Sequence, residues 1–302
     1  MIRSATTAGA VAAALLALSA CSSSSSSSAA GSSGPAASAG ASVGGTVTVF
    51  AAASLQKTFT QLGQLFEAAH PGSKVVFNFG GSDTLAASIV NGAPADVFAA
   101  ASPATMKTVT DKGGAAGTPT VFVSNELEIA VQPGNPLHLT TLQSLANPSV
   151  KVVLCAKTVP CGAAAQTALA AGHVSLTPVS YEQDVTGTLT KVEIKEADAG
   201  LVYQTDVKGA AGKVDGVGFP EAACAINKYP IATLAHAPNA AGASAFVAFV
   251  ESPQGQQVLT DAGFLSPSAS PSASPGSCPS GSPSSSAAAT AATAASSPSA
   301  SR

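Results

Sequence analysis

The sequence predicts an α/β protein of two lobes with a ligand cleft between them. Two successive strand–corner–helix units open the folded stretch, and a third corner of the same kind recurs near Cys161. The stretch of globular composition, about Thr46 to Leu265, is long enough for two modest α/β lobes.

The first unit starts with Thr46-Val47-Thr48-Val49-Phe50, which alternates as a half-buried strand does. Ala51-Ala52-Ala53-Ser54 turns into a helix carrying Leu55, Phe59, Leu62 and Phe66 at helical spacing, and His70-Pro71-Gly72 ends it. In the second unit, Val75, Phe77 and Phe79 mark the strand and Gly80-Gly81 the turn. Ser82 stands at the N-cap position, ahead of Leu85 and Ile89 on one helical face. Ser54 and Ser82 thus occupy equivalent corners, at the carboxyl ends of strands where open α/β sheets bind ligands. Helix N-termini there present unpaired N–H groups and partial positive charge, a seat for an anion. Taken singly, Ser82 is equally a plain helix cap.

Ala95-Asp96-Val97-Phe98-Ala99 is a short strand, and Ser102-Pro103 opens a helix that continues through Met106 and Val109. Val121 to Pro133 reads as one long β-like run able to cross between lobes, closed by the turn Pro133-Gly134-Asn135-Pro136. Val150 to Cys155 is a buried strand, followed by the corner Val159-Pro160-Cys161-Gly162 and a helix from Ala163 to Ala171. Val185, Leu189 and Val192 trace a helix, Ala199 to Tyr203 a strand, and Asn227 to Ala232 a strand returning to the first lobe. Ser244 is placed to cap a last helix bearing Phe246, Phe249 and Val250. The expected layout is lobe 1 over residues 46–128, lobe 2 over 129–231, and the return to lobe 1 over 232–265.

Residues 1–21 read as a secretion signal: Arg3, the apolar stretch Ala8 to Leu18, then Leu18-Ser19-Ala20-Cys21. The last four resemble a bacterial lipobox, which makes Cys21 a lipidated first residue; an ordinary signal peptide with an incidental cysteine is the alternative. Several acyl chains on one cysteine anchor a protein stably to a membrane surface. Residues 22–45 form a Ser/Ala/Gly tether and residues 266–302 a Ser/Pro/Ala tail, both compositions expected to be disordered.

The net charge of −3 argues against nucleic acid, and with charged residues only 10% of the chain an anion site would rely on neutral donors. Cys155 and Cys161, six apart around one loop of an exported protein, predict a disulfide; a thiolate at a helix N-terminus is the other option. No partner is evident for Cys224 or Cys278, and they are not expected to pair. No Gly-x-Ser-x-Gly elbow occurs and the four histidines fall in turn-like contexts, so a secreted serine hydrolase is the weaker alternative and no catalytic residue is assigned.

Four motifs occur together and in order: Phe50-Ala51-Ala52-Ala53-Ser54-Leu55, Phe77-Asn78-Phe79-Gly80-Gly81-Ser82, Gly92-Ala93-Pro94-Ala95-Asp96-Val97-Phe98 and Glu196-Ala197-Asp198-Ala199-Gly200-Leu201-Val202-Tyr203. They resemble the molybdate-binding proteins of ABC importers, a branch of the type II periplasmic binding protein fold. The resemblance runs over essentially all of Thr46 to Phe264. It implies two α/β lobes joined by two crossover strands and closing over one tetrahedral oxyanion, molybdate or tungstate, with sulfate the neighbouring possibility. It also implies an ABC permease as partner, an extracytoplasmic monomer (lipid-anchored through Cys21 on the lipobox reading), no cofactor, and molybdenum held as oxyanion and not as a free cation. Carried over by position, Ser54 and Ser82 each supply a hydroxyl and an N–H. Cys161 stands in the family's Val-Pro-Ala-Gly motif as a backbone donor, which a disulfide to Cys155 could hold in place. Val185 supplies another N–H, and Tyr203 a hydroxyl. Asp83 and Asp184 depart from the pattern: each sets a carboxylate beside a ligand position, repelling a dianion if it points inward and stabilising a helix if it points to an N-terminus.

Overall fold

The computed structural model describes residues 43–270 and 278. The signal segment with Cys21, most of the tether and the tail beyond residue 270, Cys278 apart, lie outside the described residues.

The first strand–corner–helix unit is β1 (Gly45–Ala52) and α1 (Gln56–Ala69), with a 3-10 turn at Ala53–Leu55 between them. The second is β2 (Ser73–Gly80) and α2 (Ser82–Val90), the third β3 (Val97–Ala99) and α3 (Pro103–Thr110). These strands pair in parallel, β2 and β3 flanking β1. The run from Val121 is two strands and not one: β4 (Thr120–Asn125) belongs to the first sheet, β5 (Leu127–Val131) to a second, and the chain changes sheets at Glu126. The Asn125 side chain marks the switch, accepting the Glu126 N–H and donating to Thr205.

The second sheet holds β6 (Val152–Cys155), followed by α4 (Pro160–Ala171), then β7 (Ser180–Glu182) and α5 (Val185–Glu193), and β8 (Ala199–Tyr203) with the short α6 (Gln204–Gly209). Strand β9 (Asp215–Val217) forms its edge. The chain then re-enters the first sheet as β10 (Asn227–Thr233), antiparallel to both β3 and β4. The strand orders are β2-β1-β3-β10-β4 and β7-β6-β8-β5-β9, and in each five-stranded sheet one strand, β10 or β5, runs antiparallel to the other four.

Helices α7 (Ala240–Glu251) and α8 (Pro253–Asp261) close the fold. Asn239, not Ser244, caps α7; Ser244 lies one turn inside and bonds back to the Ala240 carbonyl. Ser252 caps α8, with Pro253 in the first turn. Phe246 of α7 meets Phe59 and Phe66 of α1 edge-on at 6.1 and 5.4 Å, which seats the returning chain on the first sheet. Asp96 completes the attachment from the buried start of β3: its carboxylate accepts the N–H of Thr48 in β1 at 2.7 Å and of Asn239 at 2.6 Å. Cys155 and Cys161 are joined, and so, against expectation, are Cys224 and Cys278, a pair 54 residues apart that ties a tail residue to the second half.

Candidate functional site

Six helices, α1 to α6, begin where strands of the two sheets end. Between them lies a small cavity lined from the first sheet by Ala52, Ala53, Ser54, Gly80, Gly81, Ser82 and Ala101, and from the second by Val159, Pro160, Cys161, Asp184, Val185 and Tyr203. All five residues singled out in the sequence, Ser54, Ser82, Cys161, Val185 and Tyr203, are brought together there. The space open to the centre of a water-sized sphere is about 20 Å³, equivalent to an object about 3 Å in radius, one central atom within a shell of oxygens.

Each corner reaches the cavity for a local reason. Gly81 is the N-cap of α2 and Ser82 its first helical residue, so the serine makes no capping bond. Its buried hydroxyl oxygen instead accepts the Ala101 N–H at 3.0 Å, across to the end of β3. That bond occupies one lone pair and leaves the Ser82 O–H free to turn into the cavity. Ser54 lies in the 3-10 turn after β1, and its hydroxyl pairs with the Tyr229 hydroxyl at 2.9 Å. When Tyr229 donates in that pair, Ser54 also keeps its hydrogen for the cavity.

On the other side Val159 is the N-cap of α4, Pro160 fills its first turn, and Cys161 follows with a backbone N–H that has no partner within the helix. The loop back from β6 is tight. A Cβ on Gly162 would stand 1.9 Å from the Ala156 carbonyl oxygen, so only glycine fits there. The Cys155–Cys161 disulfide closes the same loop. Val185 opens α5 with the Asp184 side chain as cap, its carboxylate accepting the Gly187 N–H at 2.9 Å. Asp184 thus lines the cavity with its charge engaged by a helix N-terminus. Asp83, in the first turn of α2, is not among the lining residues; its Oδ1 is buried and accepts no hydrogen bond.

Tyr203 ends β8, fully buried, and its hydroxyl oxygen accepts from Asn227 Nδ2 at 2.8 Å. Burial above all, and then the neighbouring Tyr229 and Asp206, hold its pKa well above that of an ordinary tyrosine. Burial raises Tyr229 in the same way. Both phenols therefore keep their hydrogens at neutral pH and have an O–H to donate. No cationic side chain lines the cavity, and among the described residues no cluster of His, Cys, Asp and Glu could hold a metal ion. The arrangement offers N–H and O–H groups from both sheets to something negatively charged and small.

Sequence reasoning did not find Asn227, Ala101 or Tyr229, the groups that orient the serine and tyrosine hydroxyls. A buried tyrosine needs a partner for its hydroxyl, a signal available for Tyr229; neutral Asn227 gave none. A second hollow of about 410 Å³ shares Ala53 and Ser54 and is otherwise lined mainly by α1, α5, α6 and α8, with Lys57, Glu193, Asp206, Lys208 and Lys213 around it. It is wider and mixed in charge, and the other four singled-out residues do not face it.

The family described as bacterial extracellular solute-binding protein matches residues 47–265. The Molybdate-binding protein ModA of Mycobacterium tuberculosis is 45% identical over 222 residues, 74% of this chain and 85% of the relative. That of Escherichia coli is 31% identical over 230 residues, 73% and 89% of the two chains. Among solved structures, the Azotobacter vinelandii periplasmic molybdate-binding protein superposes with a TM-score of 0.64 at 21% identity, covering 72% of this chain and 98% of that one.

Proposed function

Since the chain belongs to the family of bacterial extracellular solute-binding proteins, we propose that it captures molybdate, with tungstate as a close substitute, and hands it to an ABC permease. The two sheets are the cores of two lobes, and the ion sits between them. Ser54, Ser82 and Tyr203 donate through their hydroxyls, and Ser54, Ser82, Cys161 and Val185 through backbone N–H groups. The protein binds its ligand and releases it unchanged, without catalysis and without a cofactor. Residues 1–21 direct export, lipid on Cys21 anchors the monomer at the outer face of the membrane, and the Ser/Ala/Gly stretch is its tether.

The single observation that carries this reading is the composition of the cavity: donors from both halves, no cation, and room for one small ion. Hydrogen bonds to a charged group contribute about 1.5–3 kcal/mol each. Roughly 8 kcal/mol corresponds to micromolar binding, so five to seven donors suffice after dehydration and ordering costs. The mycobacterial relative named for molybdate, at 45% identity, supports the choice of ion. Because both lobes donate, bound ion favours their approach, and the approached form is what a permease would recognise.

Calorimetric titration with molybdate, tungstate, sulfate and phosphate tests the reading. The first two should bind with submicromolar Kd and the others weakly. Tight sulfate binding with no response to molybdate would overturn the choice of ion, and no binding of any of the four would overturn the site.

A further inference from the structure

Asn227 opens β10 at the point where the chain passes back from the second sheet to the first, and it is 9% exposed. Its amide nitrogen has two hydrogens. One goes to the Ala101 carbonyl and one to the Tyr203 hydroxyl oxygen, each at 2.8 Å. The Pro160 carbonyl lies at 3.5 Å from the same nitrogen. Ala101 in turn donates its N–H to Ser82. One line of hydrogen bonds therefore joins the two hydroxyls across the base of the cavity, Ser82 to Ala101 to Asn227 to Tyr203. At both ends the hydroxyl oxygen is the acceptor.

We propose that Asn227 is a specificity-determining positioning residue: by donating to Tyr203 it fixes that hydroxyl as a donor toward the cavity and makes the site select oxyanions that carry no proton. The inference rests on the oxyanion reading of the cleft. An ion such as molybdate or sulfate offers only acceptors and matches the site. Hydrogen phosphate brings an O–H, and where it meets the Tyr203 O–H two donors face each other with no acceptor between them, which loses affinity. Asn227 itself does not line the cavity, so its effect runs through Tyr203 and Ala101.

Asn227→Asp reverses the end of the line. A carboxylate only accepts, so the Tyr203 O–H turns to it and the phenol oxygen is left facing the cavity as an acceptor. The informative readout is the ratio of sulfate to phosphate affinity at pH 8, where phosphate is mainly the singly protonated dianion. Both ions then carry the same charge, and the added carboxylate repels them alike. We expect Asn227→Asp to reduce that ratio at least tenfold and molybdate affinity at least tenfold. In a Tyr203→Phe background the same substitution should leave the ratio unchanged, because the responding hydroxyl is gone.

Asn227→Ala, read in the same titrations, covers the case in which the aspartate variant does not fold. It frees the Tyr203 oxygen without repelling the Ala101 carbonyl and should move the ratio in the same direction by a smaller factor. If the wild-type protein binds none of the oxyanions, the reading of the cleft falls and this inference with it. If it binds them and the Asn227 variants weaken all four in equal proportion, or shift the ratio equally with and without the Tyr203 hydroxyl, the inference alone is overturned.

Discussion

The hydroxyl oxygen of Ser82, the first residue of α2, accepts the backbone N–H of Ala101 at 3.0 Å instead of capping its own helix. The bond spans from the second corner to the end of β3 and leaves the remaining hydrogen free to turn toward the cavity. On the proposed reading, Ser82→Ala removes one donor to the ion, and it strands a buried amide. Molybdate affinity should fall about 10- to 100-fold, with about 1–3 kcal/mol lost from unfolding free energy. Ser102→Ala is the contrast. Ser102 caps α3 through the Thr105 N–H and does not touch the cavity, so it should cost about 1 kcal/mol of stability and no affinity. Titration beside urea unfolding separates the two effects. Equal losses of affinity in the two variants would remove Ser82 from the site.

The corners were legible because strand alternation, a small-residue turn and helical spacing sit next to one another in Val47 to Phe66 and Val75 to Ile89. What was not legible depended on contacts distant in sequence. Ser82 reads as a cap because local spacing favours it; its true partner lies 19 residues away. Asn125 and Glu126 divide what looks like one β run, since the chain changes sheets there and each half pairs with strands from elsewhere. Cys224 is joined to Cys278, 54 residues away, which no spacing rule anticipates. Short α6 and three-residue β9 carry too few residues to show a period.

The Cys155–Cys161 disulfide closes the loop that delivers the Cys161 amide. In the chain-entropy account so short a loop contributes about 2–2.5 kcal/mol. Replacing both cysteines by alanine should lower the urea midpoint accordingly. It should also weaken molybdate binding by about two- to tenfold, the cost of ordering a freed segment on binding. Reduction of the wild-type protein should reproduce the shift. Unchanged affinity with lowered stability would make the disulfide purely a fold constraint.

Asp206 sits beneath the site, its carboxylate accepting the Tyr203 N–H at 3.0 Å. Burial pushes its pKa up from 3.8 to about 7, against the pull of that hydrogen bond and of Lys57, with Asp184 adding to the rise. Between those two values the folded chain keeps a proton that the unfolded chain has released, so this group makes stability fall as pH rises through the interval and level off above it. The loss is at most about 4 kcal/mol, reduced by solvent screening because Asp206 is only partly buried and lines the wider hollow. Asp206→Asn keeps an acceptor for Tyr203 and removes the charge. Compared by urea unfolding at pH 4.5, 6 and 8, it should gain on the wild type progressively toward pH 8. A constant difference across the three would refute the assignment.

Gly81 tests whether approach of the two halves tightens the ion. A Cβ there would stand 2.8 Å from Asp83 Oδ1 and 2.8 Å from the backbone carbonyl of Gln183. The carboxylate can swing aside. The carbonyl belongs to the turn between β7 and α5 on the opposite half, and only separation of the halves relieves it. Gly81→Ala has no helical or left-handed conformation to lose, since the residue sits at φ −59 and ψ 129. The ligand-free variant should therefore unfold within about 0.5 kcal/mol of the wild type. Molybdate, however, would have to be held by halves kept slightly apart, with its donors from α4 and α5 drawn back from those of β1 and α2. We expect affinity to fall at least tenfold, mainly through faster release, as mutant affinities within one interface usually change. Stopped-flow displacement with tungstate reads that rate directly. Unchanged release from a folded Gly81→Ala protein would mean that the ion is held without the two halves closing on it.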